Sequence, residues 1–122
     1  MKNARFDPTL KTYLEIIETS SNFKSKIIYA LRCIHNCVQP TTPNLIPNQI
    51  YLVPRLPSLI PLAEIYTEPS LLEIMIGILN KINHPESFPL CLKILHIIKD
   101  KKLQGDLTDE FIKVNQENIL GI

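Results

Sequence analysis

LKTYLEIIETSSNFKSKIIYALRCIHNCV, residues 10–38, is the stretch whose reading decides the fold class. Leu10, Tyr13, Leu14 and Ile17 recur at the three-and-four spacing of a helix face, and Ile27, Leu31, Ile34 and Val38 repeat it after a break. The break is the polar cluster Thr19-Ser20-Ser21-Asn22, which stops one helix and supplies a cap for the next. Asp7 caps the first helix, and Pro8 sits in its first turn, where a missing N–H costs nothing. Pro40 ends the second helix, predicted from about Phe23 to Val38. So short a link makes residues 8–39 an antiparallel helical hairpin.

The same pattern returns downstream in LLEIMIGILNKINHPESFPLCLKILHII, residues 71–98. Pro69 opens a helix predicted to run to Asn83, with apolar residues on most of its circumference, as expected of a helix buried on several sides. Asn83-His84-Pro85 breaks it. A further helix is predicted from Ser87 to Lys101, stopped by Gly105, and a last one is capped by Asp106 or Thr108 and carries Phe111, Val114 and Ile119. Residues 68–122 thus read as a second helix pair plus a C-terminal helix.

Between the two halves, residues 40–67 form a proline-rich irregular connector. Pro40, Pro43, Pro47, Pro54, Pro57 and Pro61 forbid a long helix, because each removes a hydrogen bond and clashes with the preceding turn. Short helical turns near Asn48–Val53 and Ser58–Tyr66 are expected, with a strand across Gln49–Val53 as the alternative. The Leu, Ile and Val content predicts that the segment packs on the body of the molecule.

Composition narrows the function classes. One domain suits 122 residues. Thirteen Lys and Arg face twelve Asp and Glu, which gives no general drive toward nucleic acid or an anionic membrane. The hydrophobic fraction of 45% and the mean hydropathy of +0.07 leave apolar surface to be accounted for. Met1–Asp7 lacks the apolar run of a signal peptide, and the prolines and Arg55 rule out a spanning helix across Leu45–Ile65. Three cysteines, an odd number, read as free thiols in a cytoplasmic or nuclear setting.

The two halves align with each other: Leu10, Tyr13, Leu14, Ile17 and Phe23 match Met75, Ile78, Leu79, Ile82 and Phe88 at constant offset. Helical repeats produce such self-similarity, and so do any two amphipathic hairpins. On these segments the chain resembles armadillo and HEAT-type repeat proteins over about two-thirds of its length. The resemblance implies an all-α fold of stacked antiparallel helical hairpins, a superhelix fragment that binds other proteins. The proline-rich middle departs from that pattern, which puts the regularity of the stack in question.

No chemical constellation emerges. Cys33 and Cys37 share a helix face, but His35 is turned about 200° from Cys33, so one helix offers two thiols where structural zinc needs four ligands. Cys91 with His84 or His96 would make a nucleophile pair, yet Cys91 lies in an apolar stretch, as core thiols do. Glu15, Glu18, Glu64, Glu68, Glu73, Glu110 and Glu117 are scattered over different helices. Pro54-Arg55-Leu56-Pro57 spells a P-x-x-P ligand inside a segment that reads as a packed connector. Lys99, Lys101 and Lys102 suit a helix C-terminus.

The expectation is therefore a non-enzymatic protein–protein interaction or scaffold module with no cofactor and no metal, acting through an apolar helical face on another protein or a second copy of itself. A small enzyme or a nucleic-acid-binding accessory protein is the alternative. Candidate contact residues are Met75, Ile76 and Phe88, with Tyr51 and Arg55 as a second patch and the apolar end Ile119, Leu120 and Ile122 beside them. On this expectation Ile76→Asp weakens association and leaves helicity unchanged; the competing reading has the proline-rich segment closing the core.

Overall fold

The computed structural model describes residues 5–66, 68–82 and 84–119, and backbone alone at 118 and 119. Asn83, Leu120, Ile122 and the side chain of Ile119 lie outside the described residues, as does Met1–Ala4 of the segment read for a signal. Over that range the protein is all-α: α1 Thr9–Thr19, α2 Lys24–Asn36, α3 Leu45–Leu52, α4 Ile60–Ile65, α5 Pro69–Lys81, α6 Phe88–Lys101 and α7 Asp106–Ile119. Two 3₁₀ segments, Val53–Leu59 and Pro85–Ser87, join α3 to α4 and lead into α6. No described residue is in a strand, so Gln49–Val53 is helical.

Local chemistry explains the boundaries. The Asp7 carboxylate accepts the Thr9 N–H at 3.0 Å and the Thr9 hydroxyl at 2.7 Å, satisfying the first turn of α1. In the middle segment three prolines are placed where helices tolerate them: Pro47 lies in the first turn of α3, Pro54 in that of the first 3₁₀ segment and Pro61 in that of α4. Pro57 stands inside the 3₁₀ segment, where its missing N–H helps to keep the helices short. The spacing of these prolines divides the segment into short helices. The stop of α6 differs from expectation: Lys102 takes the left-handed conformation at φ 55°, three residues before Gly105. The Leu103 N–H then reaches the Ile98 carbonyl at 3.0 Å, a Schellman closure made by lysine in place of glycine.

Packing runs in layers. α1 lies on α2, α2 on α5, and α5 on α7. α6 packs on α7, on α4 and on the 3₁₀ segment Val53–Leu59, and touches α5 less than α2 and α7 do, so the second half is not a simple pair. Leu52, Val53, Leu56, Leu59, Leu62 and Ala63 are buried, and the proline-rich segment is thereby part of one core with Leu10, Ile27, Leu31, Leu71, Leu72, Ile94 and Phe111. Outside the core, Lys24–Glu68 and Lys93–Glu64 are exposed ion pairs of small energetic consequence.

The core also corrects the expected contact face. Met75 and Ile76 are 0% and 1% exposed. A helix that is apolar all round is satisfied by neighbours on several sides, and α2 and α7 supply them. Neither residue is presented to a partner.

Candidate functional site

The position of Asn48 determines which residues of α3 face outward. Its side chain is wholly buried: Oδ1 accepts the Asp7 N–H at 2.7 Å, and Nδ2 donates to the Cys37 carbonyl at 2.9 Å. These bonds tie α3 to the start of α1 and the end of α2. With Asn48 and Leu52 turned inward, positions 46 and 50 lie about 200° round the helix in either direction, hence outward. Ile46 and Ile50 are accordingly 66% and 69% exposed, one turn apart on one face.

Beside this ridge runs a groove of about 600 Å³, formed between α3 and the chain leaving α5. Ile46 and Ile50 themselves line it, with Val53, Pro54 and Ile82 as its other apolar walls, and Lys81, His84 and Glu86 give it a polar margin of both signs. The Gln49 amide donates to the Lys81 carbonyl at 3.3 Å, and His84 Nδ1 accepts the Glu86 N–H at 3.1 Å, so both walls are held by bonds of their own. Phe23 and Tyr29 are also exposed, but each has a partner: Lys26 stands 4.9 Å from the Phe23 ring centre, and Tyr29 meets Tyr13 edge-on at 6.2 Å.

Tyr51 and Arg55 come together on another side of the same segment. The Arg55 guanidinium lies 3.8 Å from the Tyr51 ring centre, and Phe6 stacks on that ring at 3.8 Å and 14°. Two flat groups at that distance cannot share one face, so Tyr51 is the middle layer of a three-part stack. Arg55 also donates to the Tyr51 carbonyl at 2.8 Å. With Glu15 and Glu18 they line a separate groove of about 380 Å³. Phe88 is half-buried in the first turn of α6. The structure thus joins Tyr51 to Arg55 and separates both from Met75 and Ile76.

The titratable candidates are placed as packing elements. Cys37 and Cys91 are buried, and burial pushes the Cys37 thiol up to about 11 and raises that of Cys91. Cys91 Sγ lies 3.7 Å from the Ser87 hydroxyl. His84 caps the 3₁₀ turn, and His96 is exposed on α6. His35 wedges between α2 and α5 over Gly77, where desolvation, then the charge of Lys81, lowers its pKa. Among the described residues no three His, Cys, Asp or Glu side chains converge as metal ligands would. No described helix is long and apolar enough to cross a membrane.

The exposed ridge is what sequence reasoning missed. By hydropathy Ile46 and Ile50 belong inside and Asn48 outside; two long-range hydrogen bonds invert that order, and only they could have signalled it. Against known protein families, curated proteins and solved structures, the chain shows no match.

Proposed function

We propose that this chain is a non-enzymatic protein–protein interaction module, and that α3 is its docking edge. The supporting observation is the pair Ile46 and Ile50, protruding one turn apart beside an apolar-walled groove. What marks them is contiguity: two exposed isoleucines and the apolar groove walls form one patch, the kind of surface that partners cover. A two-fold axis would lay this apolar edge of one copy on the same edge of the other and cover Ile46 and Ile50 on both. A second copy of the chain is therefore the partner the surface fits most directly. The α1–α2 hairpin laid on α5 supports a likeness to armadillo and HEAT repeats in the first half of the chain, with the proline-rich segment and the slight α5–α6 contact as the irregular part. Three free thiols, two of them buried, suit a reducing cytoplasmic or nuclear setting.

Sedimentation equilibrium on the wild-type chain and on Ile46→Asp/Ile50→Asp tests the reading. Both positions face solvent, so the variant keeps its helicity while the dimer dissociates. A variant that associates as the wild type does removes α3 from the interface.

A further inference from the structure

A second groove, of about 530 Å³, lies between α6 and α7. The Schellman closure of α6 builds it, because turning the chain back at Lys102 brings Leu103 over Ile98. Leu95, Ile98, Leu103 and Ile112 form an apolar floor. The charged rim is of one sign: Lys99 and Lys102, with His96 beside them and no carboxylate lining the groove. The other three grooves described among these residues each mix acidic with basic side chains. The chain as a whole carries a formal charge of only +1, so this rim is a local concentration and not general basicity. Among the described residues neither lysine is in an ion pair.

Complementing the α6 macrodipole accounts for the lysines and leaves the apolar floor beneath them unexplained. We propose that the groove binds a medium-chain aliphatic carboxylate, its chain on the leucine and isoleucine floor and its carboxylate held by Lys99 and Lys102. The negative end of the helix does not repel the anion decisively: the Schellman bonds satisfy the Ile98 and Lys99 carbonyls, and two full positive charges exceed the roughly half charge of the dipole. The volume lies within the range of about 300–1,000 Å³ for small-molecule sites. A single negative charge at the end of one aliphatic chain matches a rim of one sign set over an apolar floor.

The test titrates the intact, isotope-labelled chain with dodecanoate below its micellar concentration and follows the backbone amides by NMR. Decanoate, dodecyltrimethylammonium and anionic phospholipid vesicles serve as comparisons. Shifts should centre on residues 92–104 and 112–116. Each buried methylene is worth about fourfold in affinity, so dodecanoate should bind about four- to fifteenfold more tightly than decanoate, according to how deeply the chain sits. Lys99→Gln/Lys102→Gln should weaken dodecanoate about two- to thirtyfold, the range that two exposed charge pairs contribute. The proposal is overturned if the ammonium compound binds as well as the carboxylate, if the shifts lie elsewhere, if none appear, or if only anionic vesicles bind. The carboxylate–ammonium comparison on the wild-type chain decides the matter even if the lysine variant folds poorly.

Discussion

Gly77→Ala should carry opposite signs in two backgrounds. Gly77 lies inside α5, and a methyl group built there would stand 2.9 Å from His35 Nε2 and 3.1 Å from its Cδ2. Ordinary carbon contacts sit at about 3.5–4.0 Å, so the imidazole would have to retreat by roughly half an ångström or more. Its retreat is obstructed by the Gln39 amide, whose Nε2 lies 3.1 Å from Nδ1 and 3.2 Å from Nε2 of the ring and is itself bonded to the His35 carbonyl. Overpacking of this kind costs about 1–3 kcal/mol. Against it, alanine gains about 1 kcal/mol over glycine in a helix interior. Gly77→Ala alone should therefore be neutral or destabilising by up to about 2 kcal/mol. In a His35→Ala background the obstruction is gone, and the same change should stabilise by about 1 kcal/mol. Urea unfolding followed by circular dichroism, above the histidine titration range, gives all four corners of the cycle. The predicted coupling is about 1–3 kcal/mol. A Gly77→Ala variant equally stabilised in both backgrounds would refute the close approach of α2 and α5 at this point.

Three further outcomes follow from the packing. Asn48→Ala leaves the Cys37 carbonyl and the Asp7 N–H without their partners and should cost about 2–4 kcal/mol in denaturant unfolding, and Asn48→Asp, which keeps the acceptor for Asp7 but sets a buried carboxylate oxygen against the Cys37 carbonyl, should cost at least as much at neutral pH. Ile76→Asp buries a charge within the core and should destabilise by about 4 kcal/mol or more, with loss of the helical signal; a folded, monomeric variant would return Ile76 to the surface. Because His35 binds its proton less readily folded than unfolded, stability should be flat above the ordinary value of 6.5 and fall as pH drops below it. The fall should end once pH passes below the folded pKa, and the difference between wild type and His35→Gln should isolate this slope from that of the carboxylates.

The elements were legible wherever apolar periodicity was strong. α1, α2, α5 and α6 stand within two residues of the boundaries predicted from Leu, Ile and polar-turn spacing alone. Long-range pairing was not legible. Nothing local announces that α5 prefers α2 and α7 to α6, because an all-round apolar helix carries no face to orient it. The same absence explains why Met75 and Ile76, chosen as contacts, belong to the core. In the middle segment the prolines correctly foretold short helices, but the inward turn of Asn48 depends on groups 11 and 41 residues away. Hydropathy has no means of registering such bonds, and the ridge of Ile46 and Ile50 follows from them. Lys102 in the left-handed conformation was equally hidden, since a nearby glycine offered the stop that sequence rules favour.

The most direct test of α3 as a docking edge is the solution mass by light scattering across a concentration series, with circular dichroism on the same samples. The account predicts a helical species whose mass rises from one chain to two with concentration. A helical species that stays at the mass of one chain throughout would contradict the second copy as the partner of the Ile46–Ile50 ridge.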